Sequence, residues 1–133
     1  MQGDGSAGAL SHIRVLDLSD EKGVYAAKLL ADLGADTIKI EPPGGDPTRQ
    51  FGPFVGDVPD PDKSLFFFHY NTNKRGITLN VEHPEGRRLL RELVRSADVL
   101  IESFPPGYLA GLVLIGPFLR LAGASRGDHV LAH

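Results

Sequence analysis

Carboxylates end two apolar segments of this sequence, and each is followed closely by proline and glycine. Glu41 precedes the run Pro-Pro-Gly-Gly-Asp-Pro, and Glu102 stands shortly before Pro-Pro-Gly. Proline fixes the backbone and removes a donor, whereas glycine permits conformations that a Cβ forbids, so both segments are shaped loops. An acidic side chain at a strand end can hold a ribose hydroxyl. The Glu41 loop is therefore either the wall of a ligand site or a plain tight turn, and spacing leaves both interpretations open.

The first strand-to-helix loop argues against a dinucleotide cofactor. It reads Ser19-Asp-Glu-Lys-Gly23, with one glycine where the G-x-G-x-x-G turn requires three. Asp20 and Glu21 stand where a pyrophosphate would rest, and their charges would repel it. A Walker pattern is absent from the sequence as well. These features disfavour an NAD(P)-dependent enzyme.

Hydrophobic periodicity predicts the elements that position these loops. The β-branched run 13–19 predicts a strand, and Ser19-Asp-Glu21 supplies helix-start chemistry. Gly34 is placed to end the helix, and residues 36–40 return to strand chemistry. The helix is predicted from apolar residues at helical spacing: Ala26, Ala27, Leu29, Leu30 and Leu33. Strand, helix and strand in this order predict a right-handed βαβ unit with parallel strands.

The second half of the sequence extends this pattern. Residues 52–63 predict a surface excursion, and the aromatic run 64–70 suits either a short helix or a buried strand. Residues 75–81 and 98–104 predict strands, and Pro84 opens a helix between them. The predicted apolar face of that helix is Leu89, Leu90, Leu93, Val94 and Ala97; its predicted solvated face is Glu85, Arg87, Arg88, Arg91, Glu92 and Arg95.

An α/β fold with a parallel sheet follows from these elements. In open α/β sheets the ligand crevice lies beyond the carboxyl ends of the strands. The loops after Leu18, Ile40 and Ile101 are therefore expected to face the same place.

Composition limits the function classes. The 133 residues are 41% hydrophobic and 23% charged, which suits one domain with a modest core. A net charge of −3 gives no overall attraction to nucleic acid or an anionic membrane. The absence of cysteine excludes disulfides, Cys-ligated zinc and a thiol nucleophile, and agrees with a cytoplasmic location. The most apolar window, 108–122, is shorter than the roughly 20 residues of a membrane span.

Four runs resemble the N-terminal part of the class III CoA-transferases, which include formyl-CoA transferase, carnitine CoA-transferases and the α-methylacyl-CoA racemase branch. These runs are 13–19, 29–49, 71–75 and 97–104, and the resemblance covers about 13–112. It implies a Rossmann-like parallel sheet with flanking helices, incomplete relative to the family's large domain. It also implies two subunits interlocked like chain links.

The resemblance divides the chain into three parts. Residues 1–12 are interpreted as a flexible N-terminal arm, 13–112 as the family-like domain and 113–133 as a divergent tail. A shifted reading frame and a natural short form that pairs with a separate partner both explain the tail. His129 and His133 are interpreted as exposed tail residues rather than metal ligands. Without further chain, the sheet edge beyond Ser103 is expected to be open, which would favour instability or aggregation.

The resemblance also implies a site for CoA across the carboxyl ends of the strands. The implied CoA-lining residues are Leu79, Asn80, Val81, Glu82, Ser103, Phe104 and Pro105. Ser103 stands where relatives have asparagine, and the family's usual arginines near the phosphates are not matched at Pro42 or Gly111. Lys74 and Arg75 form the nearest basic pair, although a solvated turn is an equal interpretation of them.

Family chemistry, as implied by the resemblance, uses an aspartate that attacks the acyl-CoA thioester to form a mixed anhydride. No aspartate of this sequence is assigned that role, so the isolated chain is expected to be inactive. The implied substrates are a CoA thioester and a small carboxylic acid, with no covalently bound cofactor and no metal. The implied assembly is a homodimer. The alternative is a non-catalytic interaction module that pairs with a longer homologous subunit.

Overall fold

The computed structural model describes residues 8–112 with their side chains, and the backbone of residues 119–121 and 129–132. The described strands are β1 (Arg14–Leu18), β2 (Asp36–Glu41), β3 (Arg75–Thr78), β4 (Val99–Glu102), β5 (Leu119–Leu121) and β6 (His129–Ala132). The described α-helices are α1 (Val24–Asp32), α2 (Leu65–Asn71), α3 (Pro84–Arg95) and α4 (Tyr108–Leu112), with short 3₁₀ turns at Pro47–Gln50 and Val55–Asp57.

These strands form one sheet in the order β3-β2-β1-β4-β6-β5. The first four are parallel, with Arg14 beside Asp36 and Leu18 beside Glu102 in the registers of β1 with its two neighbours. The predicted α/β fold with a parallel sheet and a βαβ unit is confirmed. Because β2 and β4 lie on opposite sides of β1, the strand order reverses there, and ligands of open α/β sheets bind at such a point.

The edge of β4 is covered by backbone from the tail. β6 pairs antiparallel with β4, with Val99 opposite Ala132 and Glu102 opposite His129. The expectation of an open edge beyond Ser103 is therefore wrong, because residues 129–132 return along that edge. The predicted boundary at residue 113 stays a prediction, as does the exposed position of the His129 side chain; His133 lies outside the described residues.

Alternate residues of β1 feed two apolar clusters, one on each face of the sheet. Leu16 packs on the face covered by α3, in a cluster with Leu90 and Leu100. Val15 packs on the opposite face with Ala27 of α1. Full burial of an aliphatic side chain contributes about 1.5–3 kcal/mol, so these clusters hold both helices to the sheet.

The first helix starts later than the sequence predicts. α1 begins at Val24, and its N-cap, Gly23, supplies no side-chain hydrogen bond. Instead, the Asp20 carbonyl accepts the Gly23 and Val24 N–H groups at 3.1 and 3.0 Å, so residues 20–23 form a turn. The predicted end of the helix is confirmed, since Gly34 has a φ of +103° and its N–H donates to Ala31 at 3.0 Å.

Only part of the predicted apolar positions of α1 is buried. The helix buries Val24, Ala27 and Ala31. Leu29 and Leu33 are 45% and 56% exposed, so the spacing identified the helix but did not show which of its apolar residues are buried.

The second half differs from expectation in detail. The aromatic run forms a helix, α2 (Leu65–Asn71), which Ser64 caps by accepting the Phe67 N–H at 3.1 Å. β3 ends at Thr78 rather than at residue 81, because the Asn80 carbonyl accepts the His83 N–H at 3.2 Å and turns the chain into α3. On α3, Leu90 and Val94 are buried as predicted, whereas Leu89 is 38% exposed.

The described end of the predicted arm lies against the domain. The Leu10 N–H donates to the Leu33 carbonyl at 3.0 Å, and Gly8 lies so close to Gly34 that a Cβ on either glycine would come within 2.8 Å of the other's Cα. The predicted division at residue 12 stays a prediction.

Candidate ligand-binding site

A cavity of about 480 Å³ lies at the carboxyl ends of the parallel strands. The ends of β1 and β2 and the connectors after all four parallel strands line it: Leu18, Ser19 and Asp20; Ile40, Pro42, Pro43, Asp46 and Pro47; Leu79, Asn80, Val81 and Glu82; Ser103, Phe104 and Tyr108. The predicted convergence of the loops after Leu18, Ile40 and Ile101 is confirmed. The connector after β3 joins them.

Most of the residues implied to contact CoA lie in this cavity. The lining includes 79–82, Ser103 and Phe104, whereas Pro105 is exposed and is not part of it. Lys74 and Arg75 are also outside the lining. The structure thus brings together two segments that are far apart in the sequence, and the contact of these residues with CoA stays a prediction.

An aromatic wall connects these two segments. The rings of Phe104 and Tyr108 lie 5.0 Å apart at 41°, and the Tyr108 hydroxyl donates to the Glu82 carboxylate at 3.0 Å. This hydrogen bond, with a smaller contribution from burial, raises the pKa of Tyr108 above its ordinary value. The hydroxyl therefore stays protonated at neutral pH and bridges the connectors after β3 and β4.

The carboxylate of Glu41 closes its own loop. Its oxygens accept hydrogen bonds from the Arg49 Nε and Nη2 atoms at 2.6 and 2.9 Å and from the Asp46 N–H at 2.9 Å. Pro42 and Pro43 line the cavity, whereas Glu41 is not part of the lining. The loop was interpreted either as a tight turn or as the wall of a ligand site. Both interpretations apply, because the Glu41 carboxylate stabilises a tight turn and the two prolines line the cavity.

Glu41 is expected to stabilise the fold less as the pH falls. Burial acts to raise the pKa of Glu41, but the hydrogen bonds from Arg49 and Asp46 outweigh it and hold this pKa below the ordinary 4.5. A lowered folded-state pKa contributes stability above the unfolded-state pKa and loses it as the pH falls through the folded-state value. Glu41→Gln should therefore reduce the stability lost on acidification below about pH 5.

Urea midpoints at a series of pH values measure this effect. Glu85→Gln is the matched control, because the Glu85–Arg88 pair is exposed on α3 and contributes little. If Glu41→Gln leaves the slope of stability against pH unchanged, the hydrogen bonds to Arg49 and Asp46 do not hold the Glu41 carboxylate in solution.

A buried cluster of four charges adjoins the cavity and includes one residue of its lining, Asp46. The Lys74 Nζ atom contacts Asp17 at 2.8 Å, and the Lys39 Nζ atom contacts Asp46 at 2.9 Å and Asp17 at 3.7 Å. All four side chains are at most 3% exposed. Lys74 therefore belongs neither to an anion site nor to a solvated turn, which corrects both sequence interpretations.

The sequence carries a signal for this cluster that the sequence analysis did not use. Asp17 and Lys39 interrupt two apolar strands and stand beside each other in the register of β1 with β2. Opposite charges at adjacent strand positions indicate a buried pair, because an unpaired charge inside a sheet is costly. Burial lowers the pKa of Lys74, and the Asp17 carboxylate opposes that shift.

Comparison with known proteins agrees with this architecture. A family model for CoA-transferase family III matches residues 10–120. The chain belongs to this family. Among its relatives, succinyl-CoA:(R)-benzylsuccinate CoA-transferase subunit BbsE of Thauera aromatica is 47% identical over 104 residues, which are 78% of this chain and 25% of the relative. Formyl-CoA:oxalate CoA-transferase of Streptomyces coelicolor is 48% identical over 103 residues, 77% of this chain and 24% of that protein.

Solved structures of other proteins show the same fold. A CAIB/BAIF family protein from Brucella suis superposes with a TM-score of 0.70 at 42% identity, over 80% of this chain and 29% of the other. The protein Rv3272 from Mycobacterium tuberculosis gives a TM-score of 0.69 at 33% identity, over 84% of this chain and 29% of the other. The chain thus spans about a quarter of the length of its curated relatives and corresponds to the N-terminal region of family III.

The loop after β1 contributes the carboxylate of Asp20 to the cavity. The Asp20 carboxylate pairs with the Lys22 Nζ atom at 2.7 Å, and the Asp20 N–H donates to the Ser103 hydroxyl at 3.3 Å. Burial acts to raise the pKa of Asp20, but the hydrogen bonds, chiefly those from Lys22, outweigh it and lower this pKa. The side chain is therefore a carboxylate at neutral pH.

Within the described part of the chain, no helix has the length and apolar character needed to cross a bilayer.

Proposed function

We propose that this chain is the CoA-binding N-terminal part of an acyl-CoA:carboxylate CoA-transferase. The supporting observation is the cavity at the carboxyl ends of the strands, lined by 79–82, Ser103 and Phe104. These are the segments at which the resemblance to family III implies the CoA nucleotide. The proposed substrates are a CoA thioester and a small carboxylic acid, and the proposed location is the cytoplasm.

The chemistry of the cavity suits the uncharged parts of CoA. Its volume of about 480 Å³ is within the range of small-molecule sites. The rings of Phe104 and Tyr108 offer apolar faces for stacking. Lysine and arginine are missing from the described lining, which instead carries the carboxylates of Asp20, Asp46 and Glu82. The phosphates of CoA would therefore lie outside this cavity, toward solvent.

The nucleophile of the proposed reaction is expected from chain outside this sequence. Of the aspartates near the cavity, Asp17 and Asp46 are neutralised by buried lysines, and Asp20 pairs with Lys22. A carboxylate held in an ion pair is a poor nucleophile, because attack on a thioester would break that pair. We propose that this chain binds CoA but does not transfer an acyl group alone.

Titration with CoA tests the proposal, and Phe104→Ala should weaken binding. Removing an aromatic ring that stacks on a base costs about 1–3 kcal/mol, which corresponds to roughly 5–150-fold in Kd. Phe68→Ala is the matched control, because Phe68 is 41% exposed on α2 and outside the lining. Isothermal calorimetry should show CoA binding by the wild-type and Phe68→Ala proteins and weakened binding by Phe104→Ala. No heat and no thermal shift with the wild-type protein would remove the proposal.

A second candidate function is pairing with another family III subunit, either a second copy or a longer homologue. It is favoured by the outer face of α1, where Tyr25, Leu29 and Leu33 are 56%, 45% and 56% exposed at helical spacing. Large apolar side chains in one exposed stripe indicate a contact surface.

Sedimentation velocity tests the second candidate. The wild-type chain should form a dimer, or a complex with an added full-length homologue, and the double substitution Leu29→Gln, Leu33→Gln should abolish it. A chain that stays monomeric and forms no complex with the homologue contradicts this candidate. That result does not contradict the proposal that the chain binds CoA.

A further inference from the structure

We propose that Lys39 is a positioning residue for the ligand cavity, because its buried ammonium group ties the loop after β1 to the loop after β2. The cavity would then be shaped before any ligand arrives. The expected effect of Lys39 on CoA affinity rests on the proposed function. The positioning itself is a property of the free protein.

The contacts of Lys39 reach both loops. Its Nζ atom donates to the Ser19 carbonyl and lies 2.9 Å from the Asp46 Oδ2 atom. Ser19 and Asp46 both line the cavity, whereas Lys39 does not. The ammonium group therefore acts on the cavity from beneath, through one residue of each loop.

Each of the two contacted residues is also fixed within its own loop. The Asp46 Oδ1 atom accepts the Thr48 N–H and hydroxyl at 2.8 and 2.6 Å. The Ser19 N–H and hydroxyl donate to the Asp17 Oδ1 atom at 2.9 and 2.5 Å. These bonds hold the shape of each loop, and Lys39 holds one loop relative to the other.

An ammonium group suits this task. It carries three donors, and here its Nζ atom contacts the Ser19 carbonyl and the Asp46 carboxylate, with the Asp17 carboxylate 3.7 Å away. Side-chain exposure of 2% keeps water and salt from competing for these contacts. If the ammonium group is removed, the Asp46 carboxylate is left buried without its countercharge. Opening of the loop after β2 then becomes more favourable, because it hydrates that carboxylate.

Chemical rescue at position 39 tests the inference, because the sequence contains no cysteine. Lys39→Cys introduces a single thiol, which 2-bromoethylamine alkylates in the unfolded protein to give a lysine analogue with sulfur in place of one methylene. Lys28→Cys, treated identically, is the matched control, since Lys28 pairs with Asp32 on α1 away from the cavity.

Amide hydrogen exchange is the readout that separates positioning from general destabilisation. In unalkylated Lys39→Cys, the Asp46 and Thr48 amides should exchange at least about tenfold faster than in the wild-type protein, and alkylation should restore protection. The Leu16 and Ile38 amides, buried in the sheet, report the overall loss of stability. The Asp46 and Thr48 amides should accelerate by a clearly larger factor than these two. If every amide accelerates together, or if alkylation restores nothing, Lys39 is a structural residue and the inference is overturned.

A milder variant covers the case in which Lys39→Cys does not fold before alkylation. Asp46→Asn removes the charge that faces Lys39 and keeps an amide oxygen for Thr48, so it should accelerate exchange at Thr48 in the same direction. Unchanged exchange at Thr48 in that variant would equally overturn the inference.

CoA affinity gives the functional consequence. Alkylation of Lys39→Cys should improve the Kd for CoA by about tenfold over the unalkylated protein, equivalent to about 1.4 kcal/mol. If alkylation restores amide protection but leaves the Kd for CoA unchanged, Lys39 affects only the free protein. That result would overturn the link to binding. A wild-type protein that does not bind CoA removes the proposed function, and the exchange result still decides the role of Lys39.

Discussion

Gly86→Ala should lower the free energy of unfolding by about 3 kcal/mol, the upper end of the usual cost of overpacking a core. A Cβ at Gly86 would lie 1.8 Å from the Asn80 carbonyl oxygen and 2.6 Å from the carbonyl carbon. Both atoms belong to the backbone, so no rotamer change relieves the overlap. The connector after β3 must move away from α3 instead, and that connector lines the cavity.

Urea unfolding followed by circular dichroism measures the loss, and calorimetry shows whether moving the connector after β3 changes the proposed binding of CoA. Gly111→Ala is the matched control, because a Cβ at Gly111 in α4 meets no atom within 4 Å. That substitution should be neutral or stabilising by about 0.5–1 kcal/mol, since alanine is the better helix former. A Gly86→Ala protein as stable as the Gly111→Ala protein would show that α3 does not pack on Asn80 this closely.

Breaking the buried cluster should have an effect of similar or larger size. Asp17→Asn leaves Lys39 and Lys74 with the single carboxylate of Asp46, and Lys74→Met leaves Asp17 with the more distant Lys39. Removing one partner of a buried pair typically costs about 3–5 kcal/mol, because the remaining charge has lost its compensation. Either substitution removes a large fraction of the roughly 5–15 kcal/mol that stabilises a domain.

The double substitution Asp17→Asn, Lys74→Met discriminates a mutual interaction from two separate defects. It keeps the cluster neutral, so it should cost clearly less than the sum of the two single losses. Lys28→Met is the control, since it breaks the more exposed Lys28–Asp32 pair and should cost below about 1 kcal/mol. Additive losses in the double variant would mean that Asp17 and Lys74 do not interact in solution.

Local chemistry was enough to predict the order of the elements. Gly34 ended α1 as predicted, because a positive φ suits glycine, and strand chemistry over 36–40 matches β2. The convergence of the loops also followed, since parallel strands carry their carboxyl ends to one edge. Boundaries were less accurate. Ser19, Asp20 and Glu21 have the residue types of a helix start, yet backbone hydrogen bonds of the following turn delayed α1 to Val24.

The partners of charged side chains could not be predicted, because they are set by distances between segments remote in the sequence. Lys74 reaches Asp17 across 57 positions. Nothing near Lys74 in the sequence distinguishes a buried ion pair from an anion site. The same limitation applied to Glu41. Its partner Arg49 lies only eight positions away, but the turn between them decides whether the two side chains face each other.

The sequence by itself determined the parallel α/β fold, the shaped loop after Glu41 and, through resemblance, the family. Residue type and spacing are sufficient there, because propensity, periodicity and turn chemistry act over a few neighbouring positions. Only the tertiary structure decided that Glu41 closes a turn, that Lys39 and Lys74 neutralise buried aspartates, and that 79–82 meet Ser103 and Phe104 around one cavity. These outcomes depend on which side chains burial forces together, and the energy of a buried charge is set by what lies within a few ångströms of it.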